Sequence, residues 1–205
     1  MRFVRPGFFS GWIYPEALFR IKTREKVLCL TFDDGPDSAS TPFLLELLER
    51  HHVRAMFFCN GKAAEKHHEI IDEIISGGHI IGNHGYEHLD GWTTSLKCYL
   101  KNAALAAPFT SERFFRPPYG RLRLSQYQNL KTTYKIIFWD IMPFDFDKSF
   151  GGKNSLKILK KKIRPGSVIV LHDSPDSSAI SILDEFIEFS LDAGYRFILP
   201  SVSDS

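Results

Sequence analysis

Two carboxylates stand side by side at Asp33 and Asp34, directly after the apolar run VLCLTF, and two imidazoles, His84 and His88, lie four residues apart in NHGYEH. Adjacent carboxylates repel unless their roles differ, and a cation separates those roles. One carboxylate binds the ion while the other stays behind it and accepts a proton from water. In a helical turn, histidines four apart return to one face, so both rings can approach one metal. One aspartate and two histidines make three protein ligands for zinc, with a position left for water or substrate. Arg116-Pro117-Pro118-Tyr119-Gly120 is a stiff segment that can hold an arginine against a carboxylate. His172 ends the apolar run 168–171, and Asp145 follows another such run. An imidazole backed by a carboxylate keeps its proton long enough to hand it to a departing nitrogen. Each signal taken singly also has a plain reading. The DDGP and RPPYG segments can be turns, spaced histidines can be surface or packing residues, and Asp173 can start a helix. His51, His52, His67 and His68 fall in that plain class, beside amphipathic helices.

The elements that must position these groups alternate. Residues 27–32 read as a buried strand and 41–52 as a helix; 54–58 follow as a strand, 63–76 as a helix stopped by Gly77-Gly78, and 79–81 as a strand. Thr94 or Ser95 can cap a helix running to residue 107. Residues 113–115 and 134–139 are strand-like, 154–163 helical, 167–171 a strand, 181–193 a helix ended by Gly194, and 195–199 a last strand. Such alternation predicts one α/β domain over 1–205, with an irregular segment at 1–26. The polar punctuation falls at strand ends, as it does where loops at the C-terminal ends of barrel strands converge on one cleft. An open doubly wound sheet is the alternative, but no glycine-rich dinucleotide fingerprint or phosphate loop follows the first strand.

In this order, LTFDDGP, NHGYEH, FRPPYG, FWDIMPFDF and VLHD resemble the motif series of the polysaccharide deacetylase family, the nodulation-type deacetylase domain of carbohydrate esterase family 4. The resemblance spans residues 31–173. It implies a distorted (β/α) barrel of about seven parallel strands, and one divalent transition metal, zinc before cobalt or nickel. It also implies roles: Asp33 as general base, Asp34, His84 and His88 as ligands, Arg116 as the partner orienting Asp33, and His172 as general acid tuned by Asp145. The backbone N–H of Tyr119 is expected to help hold the oxyanion, and Trp139, Phe144, Phe146 and Leu171 to wall an acetyl or sugar pocket. Three positions depart from the family pattern. Gly85 stands where Ser or Thr is usual, Met142 where Asp is frequent, and Phe146 where Trp is usual. The expected reaction is metal-dependent hydrolysis of the acetamide of an N-acetylated sugar, with metal-bound water as nucleophile. Hydrolysis of another amide or an O-acetyl ester is an alternative, as is a catalytically idle carbohydrate-binding protein.

Bulk properties exclude other classes. A net charge of +2 in 205 residues gives no support for nucleic acid as partner, and the cluster Lys157, Lys160, Lys161, Lys162 and Arg164 reads as the C-terminal end of a helix. Cys29, Cys59 and Cys98 have no close pair spacing, so a redox motif or cysteine-rich metal site is not expected. No transmembrane stretch and no signal peptide is visible, which favours a cytoplasmic setting. Oligomeric state has no signature in the sequence.

Overall fold

The computed structural model describes residues 4–7, 10–111 and 113–200. In chain order its elements are α1 (Ser10–Ile13), β1 (Val27–Asp33), α2 (Thr41–Arg50), β2 (Met56–Cys59), α3 (Gly61–Lys66), α4 (His68–Ser76), β3 (Ile80–Asn83), α5 (Leu96–Ala106) and β4 (Phe114–Phe115), then α6 (Leu124–Leu130), β5 (Lys135–Ile136), α7 (Gly152–Lys162), β6 (Ser167–His172), α8 (Ala179–Asp192) and β7 (Arg196–Phe197). The strands run β5-β4-β3-β2-β1-β6, with β7 paired to the start of β1, and every ladder is parallel. The gap between β5 and β6 is bridged by irregular chain: Leu18 pairs with Ile137, Arg20 with Ser167 and Ile141 with Ile169. The result is the distorted (β/α) barrel that the sequence predicts.

Strand parity divides the core. On β1, Leu28, Leu30 and Phe32 face outward onto Leu44 and Leu48 of α2 and Leu183 and Phe186 of α8. Cys29 faces the other way and packs with Met56, Phe58, Phe114, Ile137 and Val168 inside the barrel. One step up this inner face lie Thr31, Gly82, Arg116, Trp139 and Val170, and above them Asp33, His84 and His172. Period-two alternation thus stacks the chemistry on an apolar plug at the C-terminal end of the strands.

Several boundaries move. The helix expected over 63–76 is two helices, broken where His67 takes φ −121° and ψ 50°. The expected strand 134–139 pairs in the ladder only at Lys135–Ile136, because the Phe138 N–H is taken by the Leu18 carbonyl. Helix α6 was not foreseen; its signal is Gln126, whose side chain accepts from the Arg123 N–H at 2.9 Å. The segment 1–26 contains α1 and the closing residues Leu18 and Arg20, while its residues 1–3, 8 and 9, like 112 and 201–205, lie outside the described set. Among the described residues no helix is long and apolar enough to cross a membrane. Cys29 and Cys59 are buried and Cys98 is exposed.

Candidate active site

Asp34, His84 and His88 converge beyond the ends of β1 and β3. His84 and His88 do not share a helical turn: both follow β3 in irregular chain, and Gly85, at φ 81°, turns the backbone between them. Three hydrogen bonds fix that turn. Asn83 Oδ1 accepts from the Gly85 N–H at 2.8 Å, while Asn102 accepts from the Glu87 N–H at 2.9 Å and donates to the Glu87 carbonyl at 2.8 Å. A Cβ at Gly85 would sit 2.6 Å from Asn102 Nδ2, so the hydroxyl side chain usual at this position has no room here.

The donor set fits a divalent metal. His84 Nδ1 donates to the Arg116 carbonyl at 2.8 Å, which leaves the Nε2 lone pair free and aimed at Asp34. Burial pushes the His84 pKa down to about 3 despite the attraction of Asp34, so the ring is neutral, the form that ligates. Donors at the corners of a tetrahedron about zinc stand about 3.3 Å apart. Asp34 Oδ1 lies 3.2 Å from His88 Nε2 and 3.7 Å from His84 Nε2. A second cluster, His51, Asp184 and Glu188, lies between α2 and α8. There Asp184 already meets His51 at 2.7 Å and Arg50 at 3.5 Å, as the plain reading of His51 requires.

Asp33 stays behind these three side chains. It is buried, its Oδ1 accepts from Arg116 at 2.6 Å, and its Oδ2 remains 4.0 Å from His84 Nε2. Arg116 is itself completely enclosed. Its guanidinium donates to Thr31 at 2.7 Å, to the Ile137 carbonyl at 3.2 Å and to the Phe138 carbonyl at 2.9 Å, and lies 4.1 Å from the centre of the Phe58 ring. Beside that ring only glycine fits at position 82, because a Cβ would run into Phe58. A buried arginine with one carboxylate and three neutral acceptors is locked in place, and it locks Asp33 in turn. Thr31, Phe58 and Gly82 were not singled out by the sequence, though their inner parity on β1, β2 and β3 is a signal for them.

Opposite, β1 and β6 pair Asp33 with His172 in register. Asp145, buried, receives the His172 N–H at 2.7 Å, lies 3.0 Å from His172 Nδ1 and accepts from Ser177 at 2.7 Å. Burial works against the charged imidazole, but Asp145, with Asp33 and Asp34 farther off, outweighs it and lifts the His172 pKa to about 9. Tyr119 has φ 58°, and its N–H donates to no acceptor among the described residues.

Asp33, Asp34, His84, His88, Tyr119 and His172 line a cleft of about 320 Å³. Of the four expected wall residues, Trp139 and Phe146 line it, Phe146 edge-on to His172 at 4.7 Å between ring centres. Leu171 and Phe144 do not. Leu171 has the outward parity of β6 and is fully buried in the outer core, while Phe144 is buried beneath Phe146 and Phe150, edge-on to both rings. Their places are taken by Val170, one parity step away, and by Met142, which occupies the position where an aspartate is frequent.

A family model described as polysaccharide deacetylase matches residues 20–134. A peptidoglycan-N-acetylglucosamine deacetylase of Bacillus cereus is 33% identical over 190 residues, covering 85% of this chain and 67% of its own. The peptidoglycan-N-acetylmuramic acid deacetylase PdaA of Bacillus subtilis is 28% identical, over 89% of this chain and 73% of its own. The crystal structure of a peptidoglycan N-acetylglucosamine deacetylase superposes with a TM-score of 0.83 at 28% identity, over 92% of this chain and 93% of the other.

Proposed function

Because this chain belongs to the polysaccharide deacetylase family, we propose that it removes the acetyl group from N-acetylated sugars of peptidoglycan, releasing acetate and a free amine. It is a hydrolase of the acetamide of an N-acetylated glycan, and the named substrates of its relatives support peptidoglycan as that glycan. The observation that carries the reading is the division of labour between the adjacent carboxylates. Asp34 is half-open toward the two imidazoles, whereas Asp33 is buried against Arg116.

Asp34, His84 and His88 would hold one divalent metal, with zinc the ion that the ligand types favour. When bound, it supplies Lewis acidity toward the acetamide carbonyl and toward the attacking water. Asp33, paired with Arg116 through Oδ1, accepts the water's proton at Oδ2 as oxygen attacks the carbonyl carbon. The Tyr119 N–H donates to the developing oxyanion, in a cleft whose apolar walls of Trp139, Met142 and Val170 strengthen that bond. His172 enters the reaction charged, with Nδ1 held on Asp145, and gives its Nε2 proton to the departing nitrogen. Arg116 and Asp145 act by orienting the base and the acid.

The test is mass spectrometry of peptidoglycan fragments and N-acetylglucosamine oligosaccharides incubated with protein reconstituted with zinc, cobalt or nickel. Loss of one acetyl unit per modified sugar, matched by released acetate, is expected. Unchanged masses with every metal would overturn the assignment.

A further inference from the structure

The formal net charge of +2 hides an uneven distribution. Residues 148–172 hold seven lysines and arginines and no carboxylate. The last turn of α7 carries Lys160, Lys161 and Lys162, and the N-terminal segment folds against that end of the helix, where Arg5 donates to the Lys162 carbonyl at 2.6 Å. Next to this contact Arg5, Trp12, Arg20, Lys22 and Arg164 line an open hollow of about 760 Å³. Among the described residues Asp140 is the one acid in its lining; it is 4% exposed and already engages Arg5, at 3.2 Å, and Arg164. Arg20 donates to the Pro165 carbonyl at 2.9 Å and pairs with Ser167, the first residue of β6. This face therefore lies where the strands begin, whereas the cleft lies where they end.

Four cations against one buried carboxylate leave the hollow net positive, and the exposed Lys161 and Lys162 add to it. A positive face by itself suits any polyanion. Trp12, 81% exposed in α1, and Ile13, 50% exposed, narrow the choice. At an anionic bilayer surface a tryptophan settles at headgroup level with its ring toward the acyl chains, while lysines and arginines reach the phosphates. A soluble polyanion would leave both apolar side chains in water. The combination of cations with large apolar tips matches the bilayer.

We propose that this face docks the protein on an anionic membrane surface, with Trp12 and Ile13 entering the headgroup layer and Arg5, Arg20, Lys22, Arg164, Lys161 and Lys162 facing lipid phosphates. The contact is peripheral and reversible, because its electrostatic part falls away within a Debye length and is screened by salt. It uses none of the residues of the cleft and leaves the cleft uncovered, so it stands or falls apart from the deacetylase reading.

Vesicle flotation tests it, with phosphatidylglycerol and phosphatidylcholine mixed in one set of vesicles and phosphatidylcholine alone in the other. The protein should float with the mixed vesicles, not with the neutral ones, and should be released by high salt. Lys22→Gln, Lys161→Gln and Lys162→Gln, all at exposed positions, should each lower the partition coefficient by about 5-fold. Trp12→Ala should lower it several-fold, and the blue shift of tryptophan emission on adding mixed vesicles should be absent from Trp12→Phe. Urea midpoints equal to wild type confirm that these variants stay folded. Flotation with neither vesicle, equal flotation with both, or flotation that the lysine or tryptophan variants leave unchanged overturns the proposal. Binding to soluble polyphosphate without flotation would assign the face to a soluble polyanion and overturn it as well.

Discussion

His172 is clamped to Asp145 at two points, the ring Nδ1 at 3.0 Å from one carboxylate oxygen and the backbone N–H on the other at 2.7 Å. The ring therefore cannot turn without breaking a buried charge-assisted bond, and Nε2 stays aimed at the cleft.

The first prediction follows from the sign of the His172 shift. Its pKa stands above the ordinary 6.5, at about 9, so the proton is in place at neutral pH and is lost as pH climbs through that value. Activity should fall along that alkaline limb, which a cation on the ligand set pulls to lower pH by repulsion. In Asp145→Asn the attraction is gone and burial remains, so the limb should move down by about 1 to 3 pH units. A kcat profile between pH 5 and pH 10 measures it, and an unmoved limb would detach His172 from the acid role.

The second separates Asp33 from Asp34. Asp33→Asn keeps the shape but removes the proton acceptor, so turnover should fall by roughly 10²- to 10⁴-fold with metal affinity nearly kept. Asp34→Asn, like His84→Ala and His88→Ala, should weaken metal binding first, and high metal should restore part of the activity of Asp34→Asn. Chelator competition beside acetate release decides between them; metal loss in Asp33→Asn alone would mean the two roles are exchanged.

The third concerns the enclosed arginine. Arg116→Leu leaves Asp33 buried beside no cation and deprives three acceptors, the Thr31 hydroxyl oxygen and the Ile137 and Phe138 carbonyls, of their donor. Breaking a buried pair from one side costs about 3–5 kcal/mol. The urea midpoint should drop accordingly, and Arg116→Lys should recover little, because one ammonium cannot span all four acceptors.

The fourth tests the departure at Gly85. Gly85→Ser installs the hydroxyl usual in the family, but at φ 81° and against Asn102 it should destabilise by at least about 1–2 kcal/mol. Denaturant unfolding checks this; a stability equal to wild type would show that the loop has another path.

Much of this was legible. A six-residue apolar run followed by two carboxylates, and glycine- and proline-marked turns after four later strands, foretold the order of elements and the convergence of their ends. The convergence of Asp34, His84 and His88 was readable from residue type, although not its geometry: spacing of four pointed to a helical turn, whereas the loop is irregular, held by Asn83 close by in sequence and by Asn102 from α5. The wall residues were misjudged where parity was overlooked, since Leu171 and Val170 are equally apolar and only the alternation of β6 tells them apart. Phe144 could not have been placed this way, because it lies on no strand and its φ of 64° is set by the loop around it. The closure of the barrel by Leu18 and Arg20 depends on pairings more than 100 residues apart, which no local pattern encodes.

The stacking of inward residues also sets which length changes the gene can tolerate. Deleting one codon within β4 would carry Arg116 to the outer side of the wall and bring Pro117 to the place that faces Asp33, abolishing the site while barely altering composition. A codon added in a connection outside the strands leaves this alternation as it is. Drift in this protein should therefore favour lengthening at the base of the barrel, and any natural variant with a gained or lost residue between positions 114 and 116 is expected to have lost the activity outright.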